Sequence, residues 1–205
     1  SIYEHGEAGT DLLRASLESQ VESSDPCHPR FFQLSNETIK IGNDNPDNIY
    51  QKAVVDGRHD YVIRGTRGSV YYLSMATSKG SYAENFKQIE TGFLDSNQLQ
   101  VAADGSFEII LSATPKPGNW LPMDADSQSL LIRQTFMDRS SEIPAEITIA
   151  RADAGATPEP LTAETFDRNL GTAASFIGNT ARLLQRYHWI AYVGFSLQLA
   201  FVYTV

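Results

Sequence analysis

One cysteine, Cys27, stands in 205 residues, so no disulfide can form within the chain. Its neighbour His28 is the one adjacent ligand type, and two residues fall short of the three or four that a zinc site needs. Cys27 is therefore read as structural, since a reactive thiol needs an electropositive setting. Basic charge is scarce too. Sixteen Lys and Arg against 25 Asp and Glu leave a net charge of −9. No run of four or more basic residues occurs, which disfavours nucleic acid as a partner, because a phosphate backbone is held by clustered cations. The G-x-S-x-G elbow, H-E-x-x-H and phosphate-binding glycine loop are all missing. Only His5, His28, His59 and His188 are available as a catalytic imidazole. No motif implies a cofactor or a metal ion. The start, SIYEHGEAGT, has no basic residues followed by an apolar core, so no signal peptide is read and the expected location is the cytoplasm.

What is present is a long β-rich middle between helical ends. An N-terminal helix is expected within residues 1–24, with Thr10 as its cap and Leu13, Leu17 and Val21 as its apolar stripe, widened by Leu12. From Arg30 the period changes to that of strands. Phe31–Leu34 and Thr38–Ile41 read as a hairpin. The polar turn run Gly42–Asn48 follows, without the spacing or terminal Glu of a calcium loop. Ile49–Val55 and Tyr61–Arg64 flank Asp56-Gly57, a tight-turn signal that predicts a second hairpin. Ser69–Thr77 carries large side chains on both faces and is expected to be central in a sheet. In all, about ten short strands with turn signals between them fill Phe31–Ala152. That pattern predicts an antiparallel β-sandwich, jelly-roll-like, over residues 25–152.

Residues 153–160 form a Pro/Gly/Ala linker. Residues 161–188 read as a second helix, capped by Thr162, with Phe166, Leu170, Ala174, Ile177 and Leu184 along one side. The apolar tail 189–205 carries no charge, but Ser196 and Gln198 interrupt it and its length sits at the lower edge for a membrane span. A span is disfavoured there, and a buried strand, a partner-binding segment or a truncated or altered end is preferred.

The stretch Asp104–Asp138 is the first place to look for a site. It predicts strands Phe107–Ala113 and Ser129–Met137 around a stiff corner, Pro117-Gly118-Asn119-Trp120-Leu121-Pro122. Trp120 can stack on a sugar or apolar ligand, with Asn119 hydrogen bonding beside it; as a structural residue it closes one end of the sandwich. The same corner has Arg and Tyr candidates in nearby strands. Arg133 lies within the apolar run LLIRQTF and is expected to pair with Glu108 or Asp124. The candidate binding set is Asn119, Trp120, Arg133, Arg64 and Tyr72.

Five strings in order carry a family likeness. They are Asn45–Asn48 (NPDN), D-G-x-x-x-Y-x-I-x-G-x-R-G over Asp56–Gly68, DGSFE from Asp104, PGNWLP over Pro117–Pro122, and R-Q-T-F-x-D-R over Arg133–Arg139. Together they resemble the domain-of-unknown-function 1214 family of bacterial proteins, over about 25–151. The resemblance implies a β-sandwich and no particular reaction. It also implies longer relatives that continue into further β-structure, so a missing C-terminal β-region, or a second copy of the chain, is an expected partner. Three functions are carried forward. The first is a module binding a small molecule or a partner. The second is a hydrolase or lyase with an Asp/Arg-lined cleft. The third is an assembly or membrane-associated module using the apolar tail.

Overall fold

The computed structural model describes residues 2–33, 36, 45–80, 88–153 and 161–202. Within them eight strands form two four-stranded sheets. The first sheet runs β1 (Asn48–Val54), β7 (Ser129–Thr135), β3 (Tyr72–Lys79), β4 (Ile89–Asp95). The second runs β6 (Trp120–Pro122), β5 (Ser106–Ser112), β2 (Tyr61–Thr66), β8 (Glu146–Arg151). Every pairing is antiparallel except that of β6 with β5, which is parallel.

The sheets are held by alternation. Successive side chains of a strand point to opposite faces, so every second residue enters the core. Ile63, Ile109, Leu111 and Leu121 of the second sheet meet Leu73, Met75, Leu130 and Ile132 of the first, all sealed from water. Most buried polar groups here are satisfied locally; among the described residues Asn48 Oδ1 and Arg67 Nη1 are buried without a partner. The Gln134 side chain donates to Ala145 O at 3.1 Å and accepts from Ala145 N–H at 2.7 Å. Thr77 Oγ1 donates to Pro122 O at 2.8 Å, linking the two sheets. The sandwich flanked by helices is as the sequence predicts, and Tyr72–Lys79 is central.

The expected hairpins are not all formed. β1 and β2 do not pair across Asp56-Gly57; they belong to different sheets. The same is true of β5 and β7, on either side of the PGNWLP corner. A turn signal marks where the chain reverses, not whether it stays in its sheet. At Gly57 the reason for glycine is space, because a Cβ there would lie 2.0 Å from Asp124 O. The bare backbone slides past the 124–127 loop and donates its N–H to Ser127 O at 2.9 Å. Of the described residues of the Phe31–Leu34 strand, Phe32 bridges, to Lys52, and Leu34 lies outside the described residues. The Thr38–Ile41 partner strand also lies outside them, as do residues 42–44 of the Gly42–Asn48 run.

Helix α1 (Ile2–Leu17) begins well before Thr10, the residue expected to cap it, and runs into a π-helical turn, Glu18–Glu22. Its closing bond is Ser23 N–H to Glu18 O at 2.9 Å. Helix α2 (Ala163–Val202) is capped as expected, with Thr165 N–H donating to Thr162 Oγ1 at 3.1 Å. It does not stop at residue 188 but continues to Val202. Among the described residues no helix is long and apolar enough to cross a membrane. The helices pack on each other, and the buried seam differs from the expected stripes. Leu12, Ala15, Ser16 and Ser19 face Ala173, Phe176 and Thr180, while Leu13, Phe166 and Leu170 stay exposed. Leu12 packs with Phe176 in this seam, and small or polar side chains fill the rest of it.

Candidate functional site

The predicted corner is tied up in structure. Gly118 turns the chain at φ +77°, a left-handed conformation that favours glycine. The Asn119 side chain donates to Gln100 O at 2.8 Å and Glu108 O at 3.0 Å, and accepts from Gln100 N–H at 2.7 Å. Trp120 is half-buried, and its indole N–H donates to Ser112 O at 3.0 Å. These bonds dock β6 beside β5. They account for both residues without a ligand.

The remaining candidates lie on both sheets and do not converge. Arg64 Nε–H donates to Glu108 Oε2 at 2.8 Å, an exposed cross-strand pair on the second sheet. Arg133 is on the first sheet and does not pair with Glu108 or Asp124. Glu108 holds Arg64, Asp124 holds Lys79, and the exposed Arg133 guanidinium lies 5.3 Å from the Tyr50 ring centroid. Tyr72 O–H donates to Asp95 Oδ2 at 2.8 Å, a bond that raises the phenol's pKa and lowers that of the carboxyl. Arg133 and Tyr72 thus share the outer face of the first sheet, apart from Asn119, Trp120 and Arg64.

A cleft of about 490 Å³ lies elsewhere, between the helices and the edge of the sandwich. That volume falls in the usual range for small-molecule sites, about 300–1,000 Å³. The outward face of the first sheet contributes Lys52, Val54 and Ser129; the 124–128 loop and the Asp56–Arg58 turn make one wall. Ser19, Gln20 and Ser24 of the first helical segment, with Thr172 and Phe176 of α2, close the other. The segment after the π-turn fixes this geometry. Tyr61, buried in the core, donates its O–H to Pro26 O at 3.0 Å and accepts from Asp56 N–H at 2.8 Å. Burial pushes its phenol up to about 12, so it stays a neutral donor. Arg151 adds a bond to Cys27 Sγ at 3.1 Å, and Phe32 exchanges both backbone bonds with Lys52.

Of the charges lining the cleft, Lys52 alone has no opposite charge in contact among the described residues. Asp56 is bound by Arg58 at 2.5 Å, which holds its carboxyl down at about 2. Asp126 shares Lys79 with Asp124, at 3.3 and 3.0 Å. Lys52 has no side-chain partner among the described residues, and burial pushes its amine below the usual lysine range. An uncompensated amine with a lowered pKa beside an open volume is a recognised mark of a functional position. The sequence does not expose it. Lys52 alternates outward on β1, which ordinarily means solvent, but in the fold it is only partly exposed, lining the cleft with Phe32, the 125–129 segment and the helices. No group of three or more His, Cys, Asp or Glu suited to a metal ion occurs among the described residues.

The fold and cleft together define a two-sheet sandwich with a helical arm and a small-molecule-sized site at their junction. The fold has a solved counterpart. The crystal structure of an uncharacterised protein from Burkholderia cenocepacia matches with a TM-score of 0.87 and 49% identity, over 90% of this chain and 51% of that one. The chain thus spans about half the length of the Burkholderia protein. A Vibrio parahaemolyticus protein matches at 19% identity and a TM-score of 0.36, over 51% of this chain and 31% of that one. No family model and no curated protein matches the chain.

Proposed function

We propose that this chain is a small-molecule-binding β-sandwich module whose ligand enters the cleft beneath the helical arm. The observation that carries this reading is Lys52, a partly desolvated and unpaired amine on the cleft wall. Burying such a group without a partner costs stability, and a ligand that compensates it returns that cost as affinity. A thermal-shift screen tests the proposal, because a ligand that binds only the folded state raises the midpoint. The cleft is blocked by Gln128→Trp, at an exposed residue on its rim, and the corner is altered by Asn119→Ala. Ligands that stabilise the parent protein should lose their effect in Gln128→Trp and keep it in Asn119→Ala. The reverse pattern would return the site to the PGNWLP corner.

The hydrolase or lyase reading has its footing in the same cleft, where Asp56 and Arg58 sit together. A carboxyl held at about 2 by its own arginine is a weak general base, so binding is placed ahead of catalysis. The assembly reading draws on Leu13, Phe166 and Leu170, exposed along the arm. A further β-region of a longer protein, or a second copy, is the proposed occupant of that face. Membership of the domain-of-unknown-function 1214 family is also proposed, on the five strings alone. Their residues are spent on architecture. Tyr61 latches the arm, Gly57 passes Asp124, and Asp138 accepts from Ser140 and Ser141, which holds its carboxyl at about 2.

A further inference from the structure

Charge compensation and hydrogen-bond direction in the cleft narrow the ligand further. Asp56 and Asp126 each have a cationic partner within the protein, which leaves Lys52 as the one lining charge without a counterion among the described residues. A ligand with one negative charge gives Lys52 its direct partner, whereas Lys79 already divides itself between Asp124 and Asp126 and has no charge to spare for a second anion. A phosphate dianion would bring a second charge with nothing to meet it, at a desolvation cost that exceeds the gain. The hydroxyls on the wall already use their protons inside the protein. Ser24 Oγ donates to Val21 O at 3.1 Å, and Thr172 Oγ1 donates to Arg168 O at 3.1 Å. Ser19 Oγ donates to Ser16 O at 3.2 Å. Ser19 is sealed and also accepts from Gln20 Nε2, and Ser24 Oγ accepts from Asn169 Nδ2 at 3.0 Å, which leaves Ser24 and Thr172 each with a lone pair open to a ligand that supplies O–H donors. Phe176, buried on the α2 side, supplies an apolar surface for a carbon chain or ring.

We infer that the cleft takes a small hydroxylated monocarboxylate, of the sugar-acid type, with its carboxylate on the Lys52 ammonium and its hydroxyls on the serine and threonine wall. This inference rests on the cleft being the binding site. It carries a pH signature. The bound carboxylate favours the charged amine that burial disfavours, so binding takes up a proton near the free amine's midpoint, and affinity falls as pH rises through it.

Calorimetric titration at fixed ionic strength tests the inference with three probes: D-gluconate, the neutral polyol xylitol, and inorganic phosphate. The protein is used as the parent chain and as Lys52→Met, Lys52→Arg and Gln128→Trp. Gluconate should bind the parent more tightly than either other probe. Lys52→Met should weaken it by about tenfold or more, the scale of one charge-assisted contact, while Lys52→Arg retains part of the affinity. Lys52→Met removes a charge that costs stability, so a thermal melt at or above the parent's confirms that any loss of binding is local. Phosphate or xylitol binding as tightly as gluconate, or gluconate binding unchanged in Lys52→Met, overturns the ligand class. If Gln128→Trp still abolishes the observed binding in that case, the cleft reading stands while the class falls. If Gln128→Trp changes nothing, both fall. Absence of binding by all three probes also overturns the class, and the library screen then decides the cleft separately.

Discussion

In the sandwich, Ile63, Ile109, Leu130 and Ile132 are sealed from water and the polar side chains between them bond to backbone. The helical arm is built the other way. Its seam is made mostly of small or polar residues, Ala15, Ser16, Ser19, Ala173 and Thr180 around Leu12 and Phe176, and it leaves Leu13, Phe166 and Leu170 at the surface. One region is closed, with Asn48 Oδ1 and Arg67 Nη1 as its buried polar atoms lacking a partner among the described residues, and the other is held by a seam and a few latch bonds. The uncompensated amine of Lys52 lies where the two meet. A closed layer gives no room for a ligand, whereas the junction of a closed layer with a lightly packed one leaves both a volume and an uncompensated charge.

Substitutions can break this contrast in graded steps. Ile132→Ala should cost about 2–5 kcal/mol, as for a fully buried aliphatic side chain, and Leu13→Ala only about 0.5 kcal/mol or less. Urea titration of the two variants measures the difference; equal losses would mean that the arm is as tightly built as the sandwich. Tyr61→Phe should cost about 1–3 kcal/mol, because Pro26 O and Asp56 N–H lose their shared partner. Amide exchange should then speed up around residues 24–28 while the strands stay protected.

Lys52→Met should be more stable than the parent at neutral pH. The folded amine has a lowered pKa, so between that value and 10.5 the unfolded chain binds more protons and parent stability rises with pH. The burial penalty is full below the folded value and fades as pH approaches 10.5, so the variant's advantage should narrow over that window. Thermal melts across the alkaline range measure it. The smallest effect belongs to Arg64→Ala, which removes the exposed pair with Glu108 and should cost about 0–1 kcal/mol, less at high salt.

The sequence makes the layers legible because alternation is a local property. Ala53 and Val55 point inward on β1 whatever the topology, and Thr162 caps its helix from its own side chain. Strand partnership is not local. Asp56-Gly57 reads equally well as a hairpin and as a crossing between sheets, and the crossing is set by the 124–127 loop, nearly 70 residues away in sequence. The site was hidden for the same reason. Trp120 and Asn119 stand out by residue type and prove to be bonded into β6, whereas Lys52 is an ordinary strand residue until the fold places it in the cleft wall.

The most direct test of the account is an NMR titration of the Lys52 side-chain amine, followed through its Cε and Nζ resonances. The account predicts a midpoint below 10.5 in the free protein, moving upward when gluconate is added. A midpoint at or above 10.5 in the free protein would contradict it, since Lys52 would then be solvated or already paired.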